Sequence, residues 1–562
     1  PKVNDYNLEF KNGKGLVFFK KILFLSAKIT LKASSEGYED FENSYSNDSI
    51  NEISINFIKK DINLSFTTNT EIGTNKWFLD DKFISSEKIL NLKIKPGRYT
   101  LRLENEFYKT KFFDFSSTNK MDKIDVIIIG AGIAGITSAY YLHKNFPDLK
   151  FKIIESRNDL GGTWDQMKFP GVRADNDMYT YGFSFDPWKG PIIGSGKDIK
   201  NYLARVAQKF NFKKHVLFNT DVKSLIWKDN QWITKTNNQI FCSQYIICCT
   251  GSRDRNDPHL PKFEGEKKYK GKIVHTQKWG NTNCKDKNVT IVGSGCTAIT
   301  MAPSIIKQAK KVTLIQRSPA WIVNIDSQKK STRSYKTIQV LWDYFSSRIF
   351  KKFQRKKMIS KNSYYNKTTT PSYDYWDQRP ASSLDNDYFN AVKSEKVTTI
   401  REGISEWIKN GVKLQNGEIV ESDITIMATG GNTQLLGGID IFINNKKINI
   451  HDTSWYRGMM FSGIPNLFAH AGYINFSWTA RCEIVSKRIC KTIDYIKKNK
   501  LISCTPKYVG KASKPSIQAN YVLRAMDKFP NKTYKFYQNY LIEYISFKYT
   551  RINDGALSFS KN

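Results

Sequence analysis

Two glycine-rich turns carry the chemistry that is easiest to read in this chain. The first lies in Asp125-Val-Ile-Ile-Ile-Gly130-Ala-Gly132-Ile-Ala-Gly135, where an apolar strand enters a G-x-G-x-x-G turn and a helical pattern continues from Ile136 to Asn145. The next apolar strand ends at Glu155, about 20 residues past the last glycine, where dinucleotide-binding folds place an acid. Glycines there let the backbone approach a pyrophosphate, the helix N-terminus stabilises its charge, and Glu155 can accept from ribose hydroxyls. The second turn is Asn288-Val-Thr-Ile-Val-Gly293-Ser-Gly295-Cys-Thr-Ala298, again strand, turn and helix. Its following strand, Val312 to Ile315, runs into Gln316-Arg317-Ser318. A cation at Arg317, where an NAD site favours an acid, suits a 2′-phosphate, so NADP(H) is favoured over NAD(H). The competing reading of Arg317 is a plain surface cation in a chain rich in them.

Two dinucleotide turns imply two cofactors, and the usual pairing is a flavin with the nicotinamide that reduces it. The elements that must position them begin at Ile124, where the chain turns to alternating buried strands and helices, the pattern of an α/β protein with a parallel sheet. The expected fold is therefore two Rossmann-like dinucleotide-binding domains, for FAD and NADPH, preceded by an all-β, sandwich-like module. The expected boundaries are a β-rich module at 1–120, an FAD-binding part at 121–262 and an NADPH-binding domain with a basic helical insertion at 263–424. The return of the FAD-binding domain follows at 425–505, and a C-terminal tail at 506–562.

Residues 1–120 alternate strictly in short runs such as Ile53 to Phe57, Leu90 to Ile94 and Tyr99 to Leu103, with turn chemistry at Lys95-Pro96-Gly97 and Leu79-Asp80-Asp81. The Pro96-Gly97-Arg98-Tyr99-Thr100-Leu101 run resembles the small sandwich repeats called PEGA domains. The module is expected to serve as a spacer or in protein interaction.

The 562 residues hold 88 Lys plus Arg against 52 Asp plus Glu, a formal charge of +36. That length exceeds what one core serves, and 40% hydrophobic residues argue against disorder. The first 120 residues contain 19 basic and 16 acidic groups, so the remainder carries 69 against 36, or +33. Such a charge raises nucleic acid as a partner, yet no zinc finger, RRM signature or basic low-complexity tail accompanies it, and no nucleic-acid partner is expected. Eight scattered cysteines lack a C-x-x-C, which argues against structural zinc and flavin-linked disulfide reductases. The longest apolar stretch, Gly15 to Ile29, is broken by three lysines, so the expectation is a cytoplasmic protein, soluble or peripheral on the inner face of the membrane.

Further segments resemble the class B flavoprotein monooxygenases of the Baeyer-Villiger type. Leu160-Gly-Gly162-Thr163-Trp164, with Phe169-Pro170-Gly171-Val-Arg-Ala-Asp175, is similar to that family's segment beside the flavin. Tyr269-Lys-Gly271-Lys-Ile-Val-His275-Thr-Gln-Lys-Trp279 is similar to its fingerprint, and Asp423-Ile-Thr-Ile-Met-Ala428-Thr429-Gly430 to its returning strand. Asp177-Met-Tyr179-Thr180-Tyr181, Trp376-Asp-Gln-Arg379, Ser477-Trp-Thr479 and Tyr521-Val-Leu-Arg524 resemble the ethionamide-activating branch.

The resemblance implies FAD and NADPH as cofactors and hydride transfer from NADPH to FAD. Uptake of O2 would follow, giving a C4a-peroxyflavin that inserts one oxygen into a small apolar ketone or oxygenates a sulfide. Such chemistry needs a dry site and a positioned cation. Arg317 is the first candidate for that cation, in competition with its 2′-phosphate reading, and Asp175 for the acid that orients it. His275 and Trp279 are carried over as catalytic from the fingerprint, His275 without an acid–base role. Gly162, Thr163, Trp164, Tyr181, Thr429 and Gly430 join the two sets of turn residues as candidates around the cofactors, while Tyr179 reads equally as core.

Two rivals are a flavin-containing N- or S-oxygenating monooxygenase, and an envelope or scaffold protein with a vestigial flavin domain. Lys329 to Lys361 holds eleven cations against the single acid Asp343, with an apolar stripe from Ile338 to Phe353. It reads either as a helix lying on an anionic membrane or as one packed on the body.

Overall fold

The computed structural model describes residues 124–328, 352–375, 377–474, 476–514 and 519–561, together with the strand backbones of the first 123 residues and a few residues elsewhere. It divides into two compact units, Pro1–Ile124 with 220–226 and 231–243, and the rest of the chain.

In the first unit the strand paths are mainly antiparallel. One sheet has the order Phe41–Ser46, Lys28–Ser34, Ile62–Thr68, Ile89–Ile94. In another, the strands Asn75–Leu79 and Lys82–Ser85 pair antiparallel, and the expected turn at Asp80-Asp81 lies outside the described residues.

The second unit is built on two parallel sheets. Lys123–Ile129 pairs in parallel with Phe151–Ile154, which pairs with Val216–Leu217, and on its other side lies Ile240–Cys248 with Leu467–Ala469 beyond. Ile127 and Ile128 are fully buried, as expected of strands covered on both faces. Helix Ile133–Asn145 covers the sheet with a run of small and apolar residues, and the long helix Trp478–Lys498 packs against it. The second sheet has the order Lys272–His275, Ile424–Met427, Asn288–Val292, Lys311–Ile315, Val397–Ile400, with every pairing parallel. Both glycine turns therefore leave the carboxyl end of a central parallel strand, where open α/β sheets bind ligands.

The end of the chain is held more firmly than a polar tail suggests. Helix Tyr540–Tyr549 packs on Trp478–Lys498, and Leu557–Ser560 pairs with Ser503–Pro506. Arg481 meets Glu543 at 2.9 Å and Arg457 meets Asp554 at 3.1 Å, all four buried. Removing one partner of such a pair strands a buried charge, which typically costs about 3–5 kcal/mol. Among the described residues no helix is long and apolar enough to cross a membrane. Of the basic stripe at 329–361, helix Lys351–Lys361 is described, with Phe353 exposed, while nearly all of the part before it lies outside the described residues.

Candidate active site

The first turn is as tight as its glycines demand. A Cβ on Gly135 would stand 1.9 Å from the Gly130 carbonyl oxygen, and Gly130 itself, at φ +106°, has the Cys249 carbonyl oxygen 2.5 Å from its Cβ position. A Cβ on Gly132 would meet only the backbone of Gly162, which brings the Leu160-Gly-Gly162 loop against the turn and leaves the rest of its space open. Glu155 is buried and accepts from the Ala131 amide at 2.8 Å and the Arg157 amide at 3.0 Å. Its carboxylate thus braces the turn from the neighbouring strand and keeps lone pairs for a ribose.

The second turn repeats the plan. A Cβ on Gly293, at φ +137°, would lie 2.5 Å from the Ala428 carbonyl oxygen, whereas one on Gly295 would meet nothing within 4 Å. Ala298 is fully buried on the following helix, Cys296–Ile305. Ala428-Thr429-Gly430 and Cys249-Thr250-Gly251 hold equivalent places, each ending a strand beside one glycine turn, and neither Gly251 nor Gly430 has an atom within 4 Å of its Cβ position. Space left open beside two helix N-termini fits two pyrophosphates.

Gly171 brings the halves together. At φ +78°, its Cβ position lies 2.1 Å from Ser304 Oγ and 2.9 Å from the Thr300 carbonyl oxygen, so the Phe169-Pro170-Gly171 loop presses directly on the second nucleotide helix. Four residues on, Asp175 is carried toward that helix. It accepts from Arg379 at 2.8 Å, and Asn176 accepts from the same guanidinium nitrogen at 3.0 Å. Burial works against the Arg379 charge, but Asp175, with Cys296, Tyr521 and Tyr181 near it, outweighs that and holds the guanidinium above its ordinary range. Arg379 enters strand Ala381–Leu384, and the Cys296 thiol, at the first turn of the second nucleotide helix, donates to the adjoining Pro380 carbonyl at 3.8 Å. Burial pushes that thiol up to about 12, so it stays protonated. Trp164 donates to the Tyr181 hydroxyl at 3.1 Å, edge to face with its ring, and burial raises the Tyr181 hydroxyl far above the ordinary range. Tyr179 is half-buried against the same core, and Thr163 is exposed.

The arginine beside Asp175 is thus Arg379, not Arg317. Arg317 is exposed at the end of its strand; burial and, after it, the Arg317 charge lower Arg524 below its ordinary range. His275 Nδ1 accepts from the Gln277 amide at 3.1 Å, which leaves Nε2–H to donate to the Gly430 carbonyl at 3.0 Å. Burial lowers this imidazole to about 4, so at neutral pH it is an uncharged strut between the fingerprint and the Ala428-Thr429-Gly430 turn. Trp279 is buried in an apolar cluster with Phe169 and Val274, which makes it a packing residue under the same loop. The fingerprint's Tyr269 uses its hydroxyl to donate to the Ser422 carbonyl at 3.0 Å.

Residues 127–375 match the family described as pyridine nucleotide-disulphide oxidoreductase, although none of the eight cysteines, all of them among the described residues, is in a disulfide. A protein named probable FAD-binding monooxygenase AlmA, from Acinetobacter sp, is 34% identical over 485 residues, covering 78% of this chain and 97% of its own. The FAD-containing monooxygenase EthA of Mycolicibacterium smegmatis is 32% identical over 482 residues, 78% of this chain and 98% of its own. The chain belongs to the FAD-containing monooxygenases. Its fold is that of an oxidized steroid monooxygenase bound to NADP (TM-score 0.63, 16% identical, 78% of this chain and all of that one). The cyclohexanone monooxygenase from Rhodococcus sp. Phi1 bound to NADP+ is similar (TM-score 0.62, 20% identical, 79% of this chain and all of that one).

Within this family member, Arg379 is the residue that sequence reasoning passed over. Its motif, Trp376-Asp-Gln-Arg379, is visible in the sequence, but nothing local there links it to Asp175, 204 residues away.

Proposed function

We propose that this monooxygenase uses NADPH and O2 to insert one oxygen atom into a small apolar ketone, giving an ester or lactone. The observation that carries the reading is the Asp175–Arg379 pair, a charge-assisted contact placed beside the second nucleotide helix with Trp164 and Tyr181 close by. FAD, when bound, supplies the redox chemistry, taking a hydride from NADPH and activating O2. The chain's own residues do the rest. The Gly130–Gly135 turn holds the flavin nucleotide, with Glu155 bracing it and Gly162 lying against Gly132. The Gly293–Ala298 turn holds NADPH, and Arg317 is assigned its 2′-phosphate, because it is exposed at the end of the strand after that turn. Arg379 supplies a fixed positive charge for the anionic oxygen that develops at the reacting centre. Asp175 and Asn176 hold the guanidinium in place, so that no reorientation is needed at the moment of reaction. His275 is neutral and moves no proton; it positions the Gly430 turn.

The test is mass spectrometry of the products that the purified protein forms from ketones and from thioethers with NADPH in air. Esters or lactones support the reading. S- or N-oxides alone replace it with heteroatom oxygenation, and protein that holds no FAD and oxidises no NADPH replaces it with a scaffold role.

A further inference from the structure

Helix Tyr540–Tyr549 presents the wrong residues to water. Its inner face packs through Phe547 and Glu543, the one acid between Tyr537 and Ile552, and Glu543 is turned onto Arg481 at 2.9 Å and the Tyr473 hydroxyl at 2.8 Å. The outer face is apolar: Leu541 is 46% exposed, Ile542 46%, Ile545 49% and Tyr549 71%. Positions 541, 545, 548 and 549 lie on one side at helical spacing, so these side chains form a continuous strip and not scattered exposures.

Cations surround the strip. Lys548 stands on the same side, over the Tyr544 and Tyr549 rings, and Lys487, Lys491 and Arg551 are exposed nearby. Lys491 donates to the Lys548 carbonyl at 3.1 Å, and Arg488 donates to the Thr550 and Arg551 carbonyls at 2.6 and 2.8 Å, which fastens the helix end to Trp478–Lys498. A cavity of about 220 Å³ between the two helices is lined by Lys487, Arg488, Lys491 and Lys548 over an apolar floor of Ile484 and Phe547. No acid shares that lining.

We propose that this face docks on an anionic lipid membrane, with the apolar strip in the headgroup–acyl boundary and the surrounding lysines and arginine on the lipid phosphates. The chemistry on both sides is complementary: an apolar helical face rimmed by positive charge meets an interface that is apolar below and negative above. A second copy of the chain is a poorer occupant, since a two-fold contact would bring the same cations together. Peripheral docking would bring a site for small apolar substrates to where such molecules concentrate. The inference is independent of which oxygenation the enzyme performs.

The test is sedimentation of the full-length holoenzyme with lipid vesicles, either phosphatidylcholine alone or phosphatidylcholine with about a third phosphatidylglycerol. The wild type should bind the anionic vesicles, ignore the neutral ones and release in high salt. Leu541→Ser with Ile545→Ser, and separately Lys491→Glu with Lys548→Glu, should each weaken binding about tenfold or more while FAD content and NADPH oxidation stay unchanged. Three outcomes overturn the proposal: no binding by the wild type, undiminished binding by both variants, or binding lost only when the basic helix Lys351–Lys361 is neutralised. A strip that holds two chains together instead would show as a halved mass of the apolar variant in sedimentation equilibrium, and would also overturn it.

Discussion

Under the proposed function, Arg317 and Arg379 divide two tasks that the sequence alone gathers onto one residue. Arg379 is tied to Asp175 and Asn176, and a guanidinium so held is a fixed charge. Arg317 is exposed at the end of its strand, and its charge disfavours that of Arg524, which burial already lowers, so an anion held by both would favour both. Arg317→Ala should therefore raise the KM for NADPH about tenfold or more while leaving that for NADH nearly unchanged. Steady-state kinetics with the two nucleotides checks this, and equal effects on both would remove Arg317 from the 2′-phosphate. At this scale the acid and the glycines were legible because their types are restricted by local geometry. The partner of Asp175 was not, because an ion pair between distant segments leaves no mark on spacing.

The two glycine turns make a matched experiment among elements. A methyl at Gly135 would collide with the Gly130 backbone, which has no means to yield, whereas a methyl at Gly295 would enter open space and the backbone there, φ −75°, suits any residue. Gly135→Ala should yield protein that lacks FAD or fails to fold. Gly295→Ala should keep its FAD and its melting temperature within about 2 °C of wild type and lose affinity for NADPH alone. Flavin absorbance with calorimetry separates the cases, and a Gly295→Ala protein that binds NADPH normally would show that the nucleotide does not lie over that turn. Strand, turn, helix and returning strand could be read in order for both domains, since each repeats a pattern of apolar runs and glycines. The Cys249-Thr250-Gly251 turn is harder to read as the counterpart of Ala428-Thr429-Gly430, because its strand ends in two small apolar thiols that carry no turn signal. The interdomain wedge at Gly171 was likewise invisible, since the helix it meets lies more than a hundred residues on.

Across the whole molecule, the charge of +36 finds only a few catalytic uses, and much of it lies on surfaces such as the Tyr540–Tyr549 helix rim and the Lys351–Lys361 helix. Buried histidines contribute to its sensitivity to acid. Burial holds His275 at about 4 and His470 at about 3, below the ordinary 6.5 that both regain on unfolding. The unfolded chain then binds more protons below that value, so the stability these imidazoles contribute is complete above pH 6.5 and is lost as pH falls toward 4. The melting temperature should drop between about pH 7 and pH 4.5, and His275→Asn should drop less steeply; parallel slopes would contradict the assigned neutral tautomer.

If the cofactor domains and the Asp175–Arg379 pair act as one oxygenating site, the FAD-loaded wild type and Arg379→Ala proteins should differ in the oxygenated product formed per NADPH consumed. Arg379→Ala should retain FAD and lose product formation about a hundredfold or more, with any NADPH consumed giving hydrogen peroxide. Product per NADPH equal to that of the wild type would show that Arg379 has no part in the oxygenation.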